Sequence, residues 1–345
     1  MTPGARHGAK SRPNRDKSMK SGMKSIGIWR SLRFFPHPLA WVAAAAMAAV
    51  DMFWLLATDM KLENFSHLLD GSWLLIALIL ALLARFNAKG ALAAAMTALF
   101  FLVFGTAARV LNHLAASAGM PFVDPWLARM DAALGLDKGV YLALVNFMNS
   151  HDMFRHAVQL AYMNHTVIFV FVILFLAATG RMERLRAFTL VFAMTVGATL
   201  LLGGLFPAAG AFTYYHPGAD LTANLPHGTG NYFVPYLLAL NAGTMTTIDM
   251  TDMPGLVSMP SYHTIMALMV PWALRRTWAF LPGLIYGALT IAATPVLGGH
   301  YFVDLLAGAV TLAASLWLLE RSTAKTPAAA SLSANPAELP RPSRS

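Results

Sequence analysis

The sequence predicts an all-α protein, a polytopic membrane helix bundle of about eight transmembrane helices with one amphipathic helix at the membrane interface. Of the 345 residues, 57% are hydrophobic and 12% are charged, whereas about 25% charged residues are usual in soluble globular proteins. This charge is too sparse to cover a water-exposed surface, so lipid must cover much of the chain. Long apolar stretches recur along the sequence, and the basic residues are concentrated in alternate connecting segments.

Eight apolar stretches come close to the roughly 20 residues that a helix needs to cross a bilayer core of about 30 Å. The second and the sixth are short, and Asp70 lies in the second. Together the predicted spans are residues 39–57, 68–84, 91–108, 157–178, 187–207, 262–274, 278–297 and 301–319.

The distribution of basic residues orients these spans. With eight crossings and both termini in the cytoplasm, the cytoplasmic segments contain 20 Lys and Arg residues and the outer segments contain 5. This is the asymmetry that the positive-inside rule requires, and removing one span would place later loops on the wrong side. The sequence therefore predicts cytoplasmic termini and two long outer segments, residues 109–155 and 208–260.

The chain divides into three parts by composition. Residues 1–36 are basic and rich in Ser, Gly and Pro, which predicts a disordered cytoplasmic tail. Residues 37–321 form the predicted transmembrane domain, and residues 322–345 are a second predicted disordered tail. Much of the net charge of +9 lies in the first tail and not within a folded pattern. We interpret this charge as fixing the membrane orientation, so no nucleic-acid binding is expected.

The outer segments contain more than simple connections. Residues 124–134 have apolar side chains at helical spacing, which predicts either an amphipathic interfacial helix or a lid over the bundle. Residues 208–260 are rich in Gly, Pro, Thr, Asn and Tyr and are predicted to form a structured loop. The absence of cysteine excludes disulfides, thiolate metal sites and a cysteine nucleophile.

Two short motifs place ionisable residues at the outer ends of the sixth and eighth spans, where charge is costly and usually functional. His300 and Asp304 are four residues apart and share one helix face. A carboxylate there can hold one imidazole nitrogen and leave the other free to attack. In the other motif, His263 can protonate a leaving oxygen. Ser261, at the predicted N-cap of the sixth span, can hold phosphate oxygens together with backbone N–H groups.

These motifs, Pro260-Ser261-Tyr262-His263 and His300-Tyr301-Phe302-Val303-Asp304, resemble the type 2 phosphatidic acid phosphatase superfamily over about residues 90–320. Within it, the chain looks most like the branch of inositol phosphorylceramide synthases. The resemblance implies a phosphohistidine on His300, oriented by Asp304, with His263 as general acid and base and Ser261 as a phosphate ligand. The predicted topology places this site at the extracytoplasmic face, and no metal or cofactor is expected.

The chain departs from the superfamily pattern at its cationic residues. Ala293 and Thr294 stand where Ser-Arg is usual, and no Lys-x6-Arg-Pro element occurs. We hypothesise that Arg109 and Arg155 supply the missing positive charge. A polar stripe of helical spacing supports this for Arg155, namely Arg155, Gln159, Tyr162 and Thr166. Nearby Asn164 and His165, like Tyr162, are expected to make interhelical hydrogen bonds.

The resemblance implies a lipid substrate: a phospholipid, a sphingolipid or a polyprenyl phosphate. Water as acceptor would make the protein a phosphatase, and a polyol such as inositol would make it a phosphotransferase. The expected location is the plasma membrane of a bacterium. Two alternatives stay open, a transporter or flippase with a His/Asp proton relay and a metal-dependent hydrolase that binds its metal through His263, His300 and Asp304.

Overall fold

The computed structural model describes residues 35–64, 78, 80–82 and 84–324. Three predictions therefore fall wholly or largely outside the described residues. They are the basic tail at 1–36, the second span at 68–84 and the C-terminal tail at 322–345.

The described chain is mainly helical with almost no sheet, which confirms the predicted all-α class. One small parallel sheet joins β1 (Lys61–Glu63) to β2 (Thr247–Asp249), with Lys61 opposite Thr247. The helices with both ends described are α1 (Pro38–Ala57), α2 (Ala88–Ala116), α3 (Asp124–Ala133), α4 (Lys138–Ser150), α5 (Asp152–Met163), α6 (His165–Ala178), α7 (Met182–Leu205), α8 (Ala211–Tyr215), α9 (Ala219–Thr222), α10 (Val234–Asn241), α11 (Tyr262–Leu274), α12 (Phe280–Leu297) and α13 (Phe302–Ala324).

The lengths and hydropathy of these helices establish a multi-pass membrane protein. Within the described residues, five helices are long and apolar enough to cross a membrane: α1, α2, α7, α12 and α13. Helices α5 and α6 pass the same test as a pair bent by 57°. Helix α11 is apolar but has only 13 residues. The structure thus supports five spans, or six with the bent pair, and the count of eight stays a prediction.

The basic connecting segments lie together at one end of the bundle. The Asn87 side chain before α2 bonds to the carbonyl of Ala177 at the end of α6, at 3.3 Å. Arg184 in the first turn of α7 donates to the carbonyl of Arg275 at the end of α11, at 2.5 Å. These contacts gather the starts of α2 and α7 with the ends of α6 and α11. The starts of α11 and α13, which bear the two histidine motifs, lie at the opposite end.

Helices α1 and α2 run in the same direction. The Trp41 ring in α1 lies 5.5 Å from the Phe100 ring in α2. Beyond the end of α1, Met60 packs with Val110 and Leu114 further along α2. This is the relative direction expected of a first and a third span.

The structure corrects the predicted boundaries of two spans. Helix α2 continues to Ala116, two turns beyond the predicted end at residue 108, so Arg109 lies within the helix. The predicted fourth span is broken at Asn164. The Asn164 amide bonds to the carbonyl of Leu160 at 2.8 Å, and His165 bonds to that of Tyr162 at 3.2 Å. Side chains that bond to the preceding turn compete with helix continuation. The proposed stripe therefore ends at the bend, and Thr166 is exposed.

An outer layer of short helices covers the histidine end. The predicted helix near residues 124–134 is present as α3. The predicted structured loop contains α8, α9, α10 and β2. Side chains from α3, α4, α5, α8 and α12 share one apolar cluster, centred on fully buried residues such as Tyr141 and Val145. This layer fixes the loops that precede α11 and α13.

Candidate functional site

The two histidine motifs meet where the start of α11 packs against the start of α13. The backbone N–H of Ser261 donates to the carbonyl of Asp304 at 3.0 Å. The rings of His263 and His300 are 6.4 Å apart between centroids. Gly308 allows this approach, because a Cβ there would lie 2.6 Å from the Ser261 carbonyl oxygen. The structure therefore brings Ser261, His263, His300 and Asp304 together.

The Asp304 carboxylate is fully buried and faces the His300 ring. Its Oδ2 lies 3.4 Å from Nδ1 of His300, which is longer than an ordinary hydrogen bond. The same oxygen accepts from the Ser258 hydroxyl at 3.0 Å and from the Tyr301 N–H at 2.9 Å. With Nδ1 facing the carboxylate, Nε2 is the nitrogen of His300 left for a reacting partner.

His263 has a different partner, the hydroxyl of Tyr162. This hydroxyl lies 3.2 Å from Nδ1 of His263. The two rings stack with centroids 4.0 Å apart and an angle of 19°. His165 presents its ring at 88° to that of His263, with centroids 5.5 Å apart. Tyr162 thus makes an interhelical hydrogen bond, as expected, but its partner is a site histidine.

Ser261 caps helix α11. Its side chain accepts from the Thr264 N–H at 3.4 Å, and the Thr264 hydroxyl lies 3.3 Å away. The predicted N-cap is therefore confirmed. His263 is the second residue of α11, and the N-terminus of a helix favours an anion.

The outer loop closes on the two glycines before His300. The Gly230 N–H donates to the Leu297 carbonyl at 3.0 Å. Gly299 has a positive φ of 71°, and a Cβ there would lie 3.0 Å from the Gly230 Cα. A side chain at position 299 would collide with Gly230, and the positive φ favours glycine. The close contact between these glycines therefore sets the position of His300.

Two aspartates of α3 hold the same region, and sequence reasoning did not single them out as site residues. Asp124 accepts from the N–H groups of Ala209 at 2.9 Å and Gly210 at 2.8 Å. It also accepts from the Tyr301 hydroxyl at 3.1 Å. Asp131 accepts from the first N–H groups of α13, those of Phe302 at 2.9 Å and Val303 at 2.7 Å.

The signal for these aspartates was present in the sequence. Asp124, Leu127 and Asp131 are spaced for one helical face, and that face is buried. The prediction of an amphipathic helix assigns acidic residues to the water-exposed face, so it does not identify Asp124 and Asp131 as buried. Burial raises the pKa of Asp131 to about 6 against the opposing effect of its two backbone hydrogen bonds. Burial also raises the pKa of Asp124.

The two arginines proposed to bind phosphate are not joined to the histidines by any described contact. Arg155 is buried and pairs with Asp152 at 2.6 Å. It also donates to the Asn149 carbonyl at 3.0 Å. Arg109 is exposed on α2. Across the described part of the chain, no Lys or Arg side chain bonds to His263, His300 or Asp304. Their role as phosphate ligands stays a prediction.

The side chains do not form the alternative metal triad. In the described ranges, no group of three or more His, Asp or Glu side chains is arranged to hold a metal ion. Nδ1 of His300 faces Asp304, and Nδ1 of His263 faces Tyr162.

Comparison with known families agrees with this geometry. The family description "PAP2 superfamily" matches residues 125–318, which is more than half of the chain. The chain therefore belongs to the PAP2 superfamily, whose members are generally phosphoester hydrolases or phosphotransferases. No curated protein and no solved structure matches the chain. Superfamily membership was predicted from the two motifs and is confirmed.

Proposed function

We propose that this protein is a membrane lipid phosphatase or headgroup phosphotransferase that works through a phosphohistidine on His300. The observation that carries the proposal is the contact of the buried Asp304 carboxylate with Nδ1 of His300, 3.4 Å away, beside a second histidine. PAP2 membership supports an enzyme over the alternative of a transporter or flippase.

The proposed reaction has two steps. Nε2 of His300 attacks phosphorus, and the bond from phosphorus to the first alcohol breaks. His263 gives that alcohol a proton from Nε2. Water or a second alcohol then attacks the phosphohistidine, His263 takes its proton, and the N–P bond breaks to restore His300. Catalysis of this kind depends on positioning and charge stabilisation, so no metal is required.

The charge around the site favours a phosphodiester substrate. No basic side chain of the described residues contacts the histidines, and Arg155 is already paired with Asp152. A phosphate monoester approaches a charge of −2 at neutral pH, whereas a diester has a charge of −1. The smaller charge needs less compensation in a partly buried cleft. This supports headgroup transfer, the activity of the inositol phosphorylceramide synthase-like branch.

We propose a phospholipid, a sphingolipid or a polyprenyl phosphate as the donor, with water or a polyol such as inositol as the acceptor. The first turn of α11, capped by Ser261, would bind the phosphate oxygens. Arg109 and Arg155 are retained as proposed sources of positive charge. Weaker vanadate binding by Arg109→Ala or Arg155→Ala would support that role, and unchanged binding by both would contradict it.

We place the site at the outer face of a bacterial plasma membrane. The support is the separation of the histidine motifs from the arginine-rich end of the bundle, where Arg184 contacts Arg275. The positive-inside rule assigns the basic end to the cytoplasm.

One labelling experiment tests the proposed function. Purified protein is given lipid phosphodiesters and monoesters labelled with ³²P, with and without inositol and with and without chelator. We expect an acid-labile, alkali-stable label on the wild type and on His227→Ala, which alters an exposed loop histidine. His300→Ala should not be labelled. A label that persists in His300→Ala, or activity lost with chelator, would contradict the mechanism.

A further inference from the structure

The side chain of Tyr162 connects the elements that hold the two histidines. Its hydroxyl lies 3.2 Å from Nδ1 of His263. A Cβ built on Gly298 would lie 2.6 Å from this hydroxyl and also 2.6 Å from Cδ2 of His300. The Tyr162 hydroxyl is thus beside both rings, although Tyr162 is on the bent α5–α6 pair and not in either motif.

The partners of the two histidines differ in what they can do. A carboxylate is only an acceptor, so Asp304 favours a proton on Nδ1 of His300 and a free lone pair on Nε2. A hydroxyl both donates and accepts. The proposed proton transfer uses Nε2 of His263, so Nδ1 keeps its proton and the Tyr162 hydroxyl can accept from it before and after the transfer.

Proton transfer needs a ring that stays in place while its charge changes. His263 must lose a proton in the first proposed step and gain one in the second. The stacked Tyr162 ring, at 4.0 Å and 19°, fixes the plane of His263, and the hydroxyl fixes its rotation. His300 lacks such a stack in the described contacts, and its partner is the Asp304 carboxylate.

We propose that Tyr162 is the positioning residue that holds His263 for proton transfer in both steps. This inference rests on the proposed function. It goes further by adding a residue outside both motifs that acts through His263.

Leaving-group dependence tests the inference with Tyr162→Phe, which keeps the stacked ring and removes the hydroxyl. The measurement is the single-turnover rate of phosphohistidine formation. An alkyl phosphodiester needs a proton on its leaving oxygen, whereas a nitrophenyl ester of the same phosphate does not. General acids contribute about 10²–10⁴-fold, so partial loss of positioning should slow the alkyl substrate about tenfold or more. The nitrophenyl rate should change little.

The control is Tyr141→Phe, which removes another buried hydroxyl, the one that donates to the Pro295 carbonyl at 3.0 Å. It should change both rates by the same factor. The Tyr162→Phe change should also have no further effect in a His263→Ala background, because Tyr162 acts through His263. Unfolding temperatures show that the variants are folded.

Equal slowing of both substrates by Tyr162→Phe, or full additivity with His263→Ala, would overturn the inference and leave the proposed function standing. If the wild type forms no phosphohistidine with either substrate, the proposed function fails and the inference fails with it.

Discussion

The Ser258 hydroxyl lies 3.0 Å from Oδ2 of Asp304, the carboxylate oxygen that also faces His300. Ser258 precedes the histidine motif of α11, so it links the loop before one motif to the carboxylate of the other. A buried carboxylate with several donors is held in one orientation. Ser258 therefore sets the direction from which Asp304 meets the His300 ring.

This contact predicts graded losses from two substitutions. Ser258→Ala removes one donor to Asp304 and leaves the Tyr301 bond and the charge. Phosphohistidine formation should therefore fall roughly 10–100-fold, the range seen when hydrogen-bond partners that orient metal-binding residues are removed. Asp304→Asn removes the charge and the acceptor, and we expect a loss of up to about 10⁴-fold. Ser315→Ala is the control, because its hydroxyl bonds within α13 to the Thr311 carbonyl at 2.8 Å. Full activity of Ser258→Ala would contradict the link.

The buried Asp131 predicts a pH dependence of stability. Its pKa is raised to about 6 in the folded protein, above the value of about 3.9 in an unfolded chain. The folded state therefore binds more protons between these values, so this carboxyl stabilises the protein most below about pH 4. That contribution is lost as the pH rises to about 6.

Melting curves of wild type and Asp131→Asn from pH 4 to 7 test this sign. The melting temperature of the wild type should fall relative to that of the variant as the pH rises through the window. The variant loses an acceptor for the N–H of Phe302 or Val303, so it should be less stable at low pH. Parallel curves would show that Asp131 does not titrate in this range.

The close packing around Gly298 predicts a loss of activity when this residue is replaced by alanine. Its φ of −90° is allowed for alanine, but a Cβ would lie 2.6 Å from His300 Cδ2. Gly298→Ala should therefore displace the ring and reduce activity at least about tenfold, since small misplacements are costly. Gly197→Ala, at a helical position with open space, should be neutral or stabilising by up to about 1 kcal/mol. Activity assays and melting temperatures of both variants test the contrast.

The absence of cysteine makes the proposed orientation directly testable. Single cysteines would replace exposed Ala223, in the outer loop, and Trp278, at the arginine-rich end. An impermeant maleimide should label Ala223→Cys in intact cells and label Trp278→Cys only after permeabilisation. The reverse pattern would place the site in the cytoplasm.

The predicted fourth span shows why sequence reasoning succeeded in part. Its hydropathy was correct, because transfer of apolar residues to lipid is a property of local composition. The prediction of one continuous helix was wrong, because the chain bends by 57° between α5 and α6. At this bend, Asn164 and His165 form hydrogen bonds to carbonyls of the preceding turn. A helical spacing rule extends through such a break and so placed Thr166 on a face that it does not share.

The sequence by itself determined the membrane class, the helical architecture and membership of the PAP2 superfamily, because hydropathy and short motifs are readable locally. Only the tertiary structure decided which residues surround the histidines. Asp131 reaches the start of α13 across 171 residues of sequence, and Tyr162 reaches His263 across 101. Such pairings depend on how the helices pack. The sequence around a buried aspartate or tyrosine does not indicate which distant residue it contacts.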